Sequence, residues 1–408
     1  MLDFIEINNF RSCENVHLRL DEPVVALLGK NGAGKTNLLH AIQLVADLCT
    51  GEAESAFSLH PRDQSKPTGF RLKFTLAGGA FEYQTRRSSI PAKTEVFEES
   101  LDKNGSRLFT REGEVTRSAI DGFPSEARFG TRAATMPTLL QILPTDHPFV
   151  STLKPVVEYL RSVRYYSLLQ GFQEHASGPS RLVAGDQWAD LSPVIEVSRY
   201  EAWKAELAHG RARRSVQLRL LHLFLTDRPS FDELKTLLGD DGLGLLADIR
   251  IEDVRLRGRS VAPRADKVEE AFETAYALSF VPGTGLAGAG RSFRYSGLSA
   301  GTWRILQLLT YLVFDKNSCM LLEQPEDSIH PGLLAKAIDI LRTYSARTQL
   351  ICTTHSPRVM NLVGPAGIRL VTAVSGSTRV ASLSDTDLIA AKGYLQDEGT
   401  LAEFLDTL

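Results

Sequence analysis

The sequence predicts an α/β fold in which segments from both ends of the chain share one sheet. An apolar run, VVALLG, is followed at once by a glycine-rich loop and a helix from about Lys35 through Leu48. From Leu298 onward the pattern is helix, strand, helix, strand, and the strands are the apolar runs SCMLL and QLICTT. Runs of this length and composition indicate buried strands. We therefore expect a strand–loop–helix unit and a strand–helix–strand unit in the same sheet.

The first 180 residues contain further strands and helices. The opening, DFIEINNF and NVHLRL, predicts two strands joined by a turn. Residues 69–117 alternate between apolar and polar and contain Gly-Gly and Asn-Gly turn signals, which predicts antiparallel strands. Residues 137–160 are mainly helical in pattern, and a short strand is expected over 163–166. The N-terminal part should therefore carry an antiparallel β lobe.

The middle of the chain predicts an inserted, mainly helical segment. A helical stretch covers residues 191–238, short strands follow near 249–257, and a helix is expected over 267–278. A last helix is expected near Thr400. Three parts result: an N-terminal lobe over 1–180, a mainly helical insertion over 181–290 and a C-terminal lobe over 291–408.

Composition narrows the class of protein. With 408 residues, 43% hydrophobic content and a net charge of −3, the chain is an ordinary globular protein without an overall basic character. Its four cysteines form no CxxC pair and mostly lie beside apolar residues, which indicates buried free thiols in a reducing, cytoplasmic setting. The longest apolar run, Ile305 to Phe314, is too short to span a bilayer, so no membrane partner is expected.

The glycine-rich loop carries the strongest chemical pattern. Residues 29–36, GKNGAGKT, match GxxxxGK[ST], and they follow a predicted strand and open a predicted helix. Glycines allow backbone N–H groups to turn toward phosphate oxygens, and the helix N-terminus adds partial positive charge. The alternative, a tight glycine turn without a ligand, does not account for this context. Lys35 should reach the β- and γ-phosphates of a nucleotide, and Thr36 should ligate magnesium.

Three other residues lie at the ends of predicted elements. Glu323 ends the SCMLL strand, where it can ligate magnesium or remain a solvated acid. His355 follows QLICTT, where it can contact a γ-phosphate or simply cap a loop. Ser299 precedes a predicted amphipathic helix, where a hydroxyl and free N–H groups form an anion site or an ordinary N-cap. Each pattern alone is ambiguous.

Together these motifs resemble the ABC-type ATPases of the RecF and SMC group, in the compact branch related to the OLD (overcoming lysogenization defect) nucleases. NNFRSCENVHL resembles the N-terminal strand pair of that group, GKNGAGKTNLLHAI its Walker A motif, and LSAGTWR its signature motif. LLEQPEDSIHP resembles its Walker B motif, and TTHSP its switch histidine. The five motifs occur in family order within residues 1–48 and 296–362, which implies an ABC-type ATPase head.

The resemblance also implies roles for individual residues, with ATP and Mg²⁺ as ligands. Arg11 is placed where the family often has a basic residue that contacts the nucleotide, His355 and position 324 are catalytic, and Thr36 and Glu323 hold the metal. Ser299 and Gly301 contact the γ-phosphate of the nucleotide on a second subunit. Gln170 is a weak candidate for the Q-loop glutamine. The phosphates are held by Asn31, Gly32, Ala33, Gly34, Lys35, Thr36 and Asn37.

Gln324 departs from the family pattern, which has a glutamate as general base there. An amide cannot take up the proton of the attacking water as a carboxylate can. The natural protein is then a slow or non-hydrolysing ATP clamp, or the glutamine is a Glu→Gln replacement made to trap the ATP-bound state. The intact state of the other motifs favours the replacement.

One Walker A and one signature motif per chain imply a head-to-tail homodimer, or a higher assembly of such dimers, around two ATP molecules. The favoured function is the sensor ATPase of a bacterial antiphage system that controls a separately encoded nuclease or toxin. The alternatives are a RecF-like DNA-repair ATPase and an ATP-locked scaffold. A basic stretch from Lys204 to Arg219 is either a solvated helix face or a contact for DNA or protein.

Overall fold

The computed structural model describes residues 1–51, 60–87, 97–118, 126–130, 134–167, 194–208, 215–257, 272–283, 292–294, 297–356, 359–360 and 363–390. The chain divides into two compact units. The first comprises Met1–Ser167, Asn317–Glu326 and Ile338–Leu408, and the second comprises Leu168–Lys316 and Asp327–Ala337. The three parts predicted from the sequence follow different boundaries and stay a prediction.

Within these described residues, the strands alternate with helices along the chain. The strands are β1 Leu2–Phe10, β2 Cys13–Arg19, β3 Val24–Leu28, β4 Thr68–Leu76, β5 Gly79–Arg87, β6 Phe97–Lys103, β7 Ser106–Glu112, β8 Val115–Ser118, β9 Glu126–Arg128, β10 Val163–Ser167, β11 Val194–Glu196, β12 Leu246–Arg257, β13 Phe272–Pro282, β14 Cys319–Glu323, β15 Gln349–Thr354, β16 Ile368–Val374 and β17 Ser377–Ser382. The helices are α1 Lys35–Thr50, α2 Thr135–Ile142, α3 Pro148–Arg161, α4 Val197–Ala208, α5 Val216–Thr226, α6 Arg228–Leu238, α7 Ala300–Asp315 and α8 Pro331–Tyr344.

The first unit is built around a six-stranded sheet of order β10-β14-β15-β3-β16-β17. β15 runs parallel to both β14 and β3, so strands from the two ends of the chain share one sheet, as predicted. The strands VVALL, CMLLE and QLICTT are buried almost throughout. Continuous apolar burial is typical of parallel strands covered on both faces. The α/β prediction is confirmed.

An eight-stranded antiparallel sheet, of order β2-β1-β4-β5-β6-β7-β8-β9, forms the predicted β lobe in the same unit. Its inward side chains join the core around α1, which is buried along most of its length. All four cysteines are free and buried, as the sequence predicted. Of the helices that the structure describes, none is long and apolar enough to cross a membrane.

The second unit contains α4 to α7 and a three-stranded antiparallel sheet of order β11-β13-β12. The predicted helix over 267–278 is wrong from residue 272 onward, because Phe272–Pro282 is a strand paired with β12 over eleven positions. The alanines and glutamate of FETAYALSFVP favour a helix locally, but cross-strand pairing and burial of alternate residues override that preference. Residues 267–271 and the predicted helix near Thr400 lie outside the described residues.

Candidate functional site

The glycine-rich loop lies between β3 and α1, and close packing restricts two of its positions. Gly34 has a φ of +99°, and a Cβ there would lie 2.0 Å from Oγ1 of Thr378. A Cβ on Gly29 would lie 2.0 Å from the carbonyl oxygen of Val371. Both neighbours belong to the hairpin β16–β17. The sequence therefore needs glycine at these positions for the loop to curl under that hairpin.

Lys35 begins α1 and places its ammonium group inside the loop. Its Nζ lies 2.6 Å from the carbonyl oxygen of Gly29, 3.1 Å from that of Lys30 and 3.0 Å from Nε2 of His355. Burial lowers the pKa of Lys35, and the charge of Glu326 opposes this shift. An ammonium has three N–H donors, so these acceptors use all of them. An anion that binds Lys35 must replace at least one of them.

Glu323 ends β14 beside the start of α1, in the place expected of a metal ligand. Thr36 Oγ1 donates to Glu323 Oε1 at 2.6 Å, and the Tyr165 hydroxyl donates to Oε2. A hydroxyl and a carboxylate oxygen are hard ligands of the kind that Mg²⁺ prefers. Among the described residues, no cluster of three or more His, Cys, Asp or Glu could hold a metal. The pair therefore fits a Mg²⁺ ion that takes its remaining ligands from phosphates and water.

Beyond Glu323 the chain turns sharply toward the end of β15. Gln324 has a φ of +43°, and its N–H donates to Thr353 Oγ1 at 3.0 Å. Non-glycine residues with positive φ are uncommon and concentrate at functional sites. Glu326 Oε1 accepts from the Thr354 hydroxyl at 2.6 Å and from the His355 N–H at 2.9 Å. The carboxylate of Glu326 thus fixes the backbone at His355.

The second oxygen of Glu326 differs from the first. Within the part of the chain that the structure describes, Glu326 Oε2 is buried and has no hydrogen-bond partner. An unpaired buried acceptor typically costs about 1–3 kcal/mol. This oxygen is therefore an acceptor next to the histidine loop that is available to a donor, such as a water molecule or a side chain that moves.

Arg11 lies at the turn between β1 and β2, in a left-handed conformation with a φ of 50°. Its Nη1 donates to Asn37 Oδ1 at 3.2 Å and lies 2.6 Å from Nδ1 of His40. Burial, together with the charge of Arg11, lowers the pKa of His40 to about 4, so this imidazole is neutral and accepts. Arg11 is therefore held at the side of the loop by two residues of α1.

The predicted signature motif lies in the second unit, at the start of α7. Ser299 is the N-cap of α7 and is exposed, and its Oγ accepts from the Thr302 N–H at 3.1 Å. A Cβ on Gly301 would lie 2.8 Å from the carbonyl oxygen of Ser328, which explains the glycine. Arg304 donates to the carbonyl oxygen of Asp327. These contacts describe a capped helix, and contact of Ser299 and Gly301 with a nucleotide stays a prediction.

The structure brings most of the predicted site residues of the first unit together at the carboxyl ends of β3, β14 and β15. Lys35, Thr36, Glu323 and His355 are joined directly, and Gln324 follows Glu323. Sequence reasoning missed Tyr165, His40 and Thr378, because no local pattern marks them. Gln170 and the arginines at 211, 213 and 214 lie outside the described residues.

Comparison with protein families gives two matches on different parts of the chain. Residues 1–120 match the family described as "AAA ATPase domain". Residues 173–361 match the family described as "AAA domain, putative AbiEii toxin, Type IV TA system". The first match includes the glycine-rich loop, and the second includes Ser299, Glu323 and His355. Both halves of the predicted motif set therefore fall in ATPase family models.

Among curated proteins, the DNA replication and repair protein RecF of Rickettsia felis is 30% identical over 120 residues, which are 27% of this chain and 30% of that protein. RecF of Leptospira biflexa is 34% identical over 108 residues, or 25% of this chain and 29% of that protein. The matches therefore span less than a third of the length of these relatives.

Among solved structures, the SmcHead bound to the C-winged helix domain of ScpA is similar with a TM-score of 0.51 and 14% identity. The match covers 94% of this chain and 98% of that one. At this level of identity the likeness concerns the fold alone, which is that of an SMC head.

Proposed function

The chain is an ABC-type ATPase of the RecF/SMC group, and on that premise we propose that it binds ATP with Mg²⁺ and dimerises head-to-tail around it. The observation that carries the proposal is the convergence of Lys35, Thr36, Glu323 and His355 at one edge of the parallel sheet. In open α/β sheets, ligands bind outside the carboxyl ends of the strands. The glycine loop and the start of α1 add the positive potential that phosphates need.

Binding of ATP is expected to rearrange the bond between Lys35 and His355. A γ-phosphate oxygen attracts the ammonium more strongly than a neutral imidazole nitrogen does, because charge-assisted hydrogen bonds are the stronger ones. His355 would then lose Lys35 as its donor, and its ring can turn a protonated nitrogen to the phosphate. Glu326 keeps the backbone of His355 fixed during this exchange, through its bond to the His355 N–H.

Thr36 and Glu323 would hold the metal, and Mg²⁺ would supply neutralisation of the charge that develops on the phosphates. In hydrolysis, water attacks the γ-phosphorus, the bond to the β-phosphate oxygen breaks, and the proton of the water passes to a base. Gln324 offers an amide at the position where the family has that base, so we propose that this chain hydrolyses ATP slowly and accumulates the ATP-bound dimer.

The exposed N-cap of α7 supports the dimer part of the proposal. Ser299 presents a hydroxyl and the free N–H groups of a 16-residue helix, which together suit an anion. In a head-to-tail dimer that anion is the γ-phosphate held by Lys35 of the second copy. The dimer would contain two such composite sites.

The Ser299→Arg variant tests the dimer. It should still bind ATP as a monomer, because Ser299 does not contribute to the loop that holds the nucleotide. It should fail to form the ATP-dependent dimer, because a large side chain at the N-cap would clash with the facing phosphate. Light scattering with ATP and Mg²⁺ measures assembly, and calorimetry measures binding. ATP-dependent assembly that is unaltered in Ser299→Arg would contradict the head-to-tail arrangement.

For the biological role we propose the sensor ATPase of a bacterial antiphage system, acting with a separate effector that is a nuclease or toxin. The match of residues 173–361 to a family described by a type IV toxin–antitoxin system favours this class. Native mass spectrometry of the protein co-expressed with the products of its neighbouring genes is the test. A stable complex with a nuclease or toxin supports this role, and the absence of any such complex counts against it.

A second role, ATP-dependent DNA binding in repair, is favoured by the RecF relatives that match the N-terminal quarter of the chain. Fluorescence anisotropy with duplex, single-stranded and gapped DNA, with and without ATP, measures it. RecF-like behaviour predicts ATP-dependent affinity that falls steeply as salt rises, since contacts to phosphates release counterions. Equal, weak binding to all three DNAs in either condition would remove this alternative.

A further inference from the structure

The hairpin β16–β17 contacts the glycine-rich loop through one buried threonine. Thr378 is 1% exposed, and its N–H donates to the carbonyl oxygen of Ser12 at 2.9 Å. Its Oγ1 donates to the carbonyl oxygen of Ala33 at 3.0 Å and lies 2.7 Å from Ser12 Oγ. Thr378 therefore links the turn between β1 and β2 to the middle of the loop.

The direction of each hydrogen bond in this region follows from the number of protons. A hydroxyl has one O–H, and that of Thr378 is given to Ala33, so Ser12 must be the donor to Thr378. Ser12 then accepts from Asn37 Nδ2 at 2.7 Å, and Asn37 Oδ1 accepts from Arg11 Nη1. The bonds run in one direction, from Arg11 through Asn37, Ser12 and Thr378 to Ala33. Bonds aligned in this way polarise one another and strengthen the chain.

The last bond determines the orientation of a peptide group in the loop. In a trans peptide the C=O and the following N–H point in opposite directions. Because the C=O of Ala33 points to Thr378, the N–H of Gly34 points away from the hairpin. Such loop N–H groups are what cradle phosphates. The same contact explains Gly34, since a Cβ would lie 2.0 Å from Thr378 Oγ1.

We propose that Thr378 is a positioning residue for ATP: its hydroxyl sets the Ala33–Gly34 peptide so that the loop is preorganised for phosphate. This proposal rests on the proposed function, because it assumes that the loop binds ATP. Replacing the hydroxyl with a methyl group of the same size leaves the Ala33 carbonyl and the Ser12 hydroxyl without their partner. The peptide can then turn over, and nucleotide affinity falls.

The test is the affinity of the full chain for ADP without Mg²⁺, measured by calorimetry. Thr378→Val should weaken ADP binding about tenfold, which is the loss typical of one or two buried hydrogen bonds. Thr378→Ser keeps the hydroxyl and should bind within about twofold of the unchanged protein. Thr372→Val is the matched control, since Thr372 is exposed on the other strand of the same hairpin. The control should leave ADP affinity unchanged.

Ser12→Ala keeps the proposal testable if Thr378→Val does not fold. It removes the donor to Thr378 but leaves the bond to Ala33, so ADP affinity should fall by about threefold. Combined with Thr378→Val it should add little, because both changes break the same chain of bonds. Equal ADP affinity in Ser12→Ala and in the unchanged protein would show that the relay does not act on the loop.

The outcomes separate this inference from the function on which it rests. If the unchanged chain does not bind ADP or ATP, the proposed function fails and this inference fails with it. If the unchanged chain binds and Thr378→Val binds equally well, the inference alone is wrong. If Thr378→Ser loses affinity as Thr378→Val does, packing of the threonine methyl group matters rather than its hydroxyl, and the inference is also wrong.

Discussion

The glycine-rich loop of the first unit and the start of α7 in the second are both turns that precede a helix, but they are completed differently. Lys35 and Thr36 contact side chains about 300 positions away, at 3.0 Å from His355 and 2.6 Å from Glu323. Ser299 contacts only its own first turn, through Thr302, among the interactions that the structure describes. The loop is therefore a site formed within one unit, whereas Ser299 becomes part of a site only if another molecule brings a ligand to it.

The Lys35→Ala variant is expected to have the largest effect on this difference. Lys35 is the only side chain of the glycine-rich loop, residues 29–36, that carries its charge into the loop interior. Its removal should abolish measurable ATP binding and, as a result, ATP-dependent dimerisation. Calorimetry and light scattering measure the two. The matched control is Lys154→Ala, an exposed lysine on α3. ATP affinity that is unchanged in Lys35→Ala would remove the loop as the nucleotide site.

The Gln324→Glu variant should have the next largest effect, because it restores a carboxylate at the position of the family's base. A positioned general base contributes typically about 10²–10⁴-fold in rate. ATP affinity should stay similar, since Lys35 and Glu323 do not depend on that base. Phosphate release under saturating ATP and Mg²⁺ measures the difference between the present chain and the variant. Equal turnover by the two would show that position 324 is not the base.

Glu326 requires a separate arm of that experiment, because it is the nearby glutamate with a free carboxylate oxygen. If Glu326 acts as the base, Gln324→Glu combined with Glu326→Gln should lose the gained activity. If it only holds the loop of His355, Glu326→Gln keeps an acceptor oxygen and the combined variant should stay close to Gln324→Glu. The amide thus separates a chemical role of Glu326 from its contact with the His355 N–H.

The sequence predicted the parts of the site that depend on local pattern. GKNGAGKT determines a turn and a helix start within eight residues, and apolar runs that end in Glu323 and His355 predict buried parallel strands. The sequence could not predict Tyr165 or Thr378, because their roles depend on which strand lies beside which. The wrong helix over 272–278 has the same origin, since pairing with β12 decides that segment. Long-range pairing carries no local signature.

The Tyr165→Phe variant should have the smallest effect, and it asks how the longer carboxylate of Glu323 is held. P-loop ATPases place an aspartate at this position, and glutamate adds one rotatable bond. The Tyr165 hydroxyl donates to Oε2 while Thr36 donates to Oε1, so both oxygens have fixed directions. Losing the phenol frees one rotamer, at a cost of about 0.5–1 kcal/mol. We expect a two- to fivefold rise, to order of magnitude, in the Mg²⁺ concentration needed for half-maximal ATP binding.

An opposing effect is smaller than this loss of order. The phenol withdraws electron density from Glu323, so its removal makes the carboxylate a slightly better ligand. Yet that hydrogen bond is made to Oε2, whereas Oε1 is the oxygen next to the Thr36 hydroxyl. Orientation should therefore decide the sign. Tyr166→Phe is the matched control on the same strand, where the hydroxyl instead accepts from Asn317 at 2.7 Å. ATP binding across a Mg²⁺ series should change in Tyr165→Phe and not in Tyr166→Phe. The same Mg²⁺ dependence in both variants would mean that Glu323 is oriented by Thr36 alone.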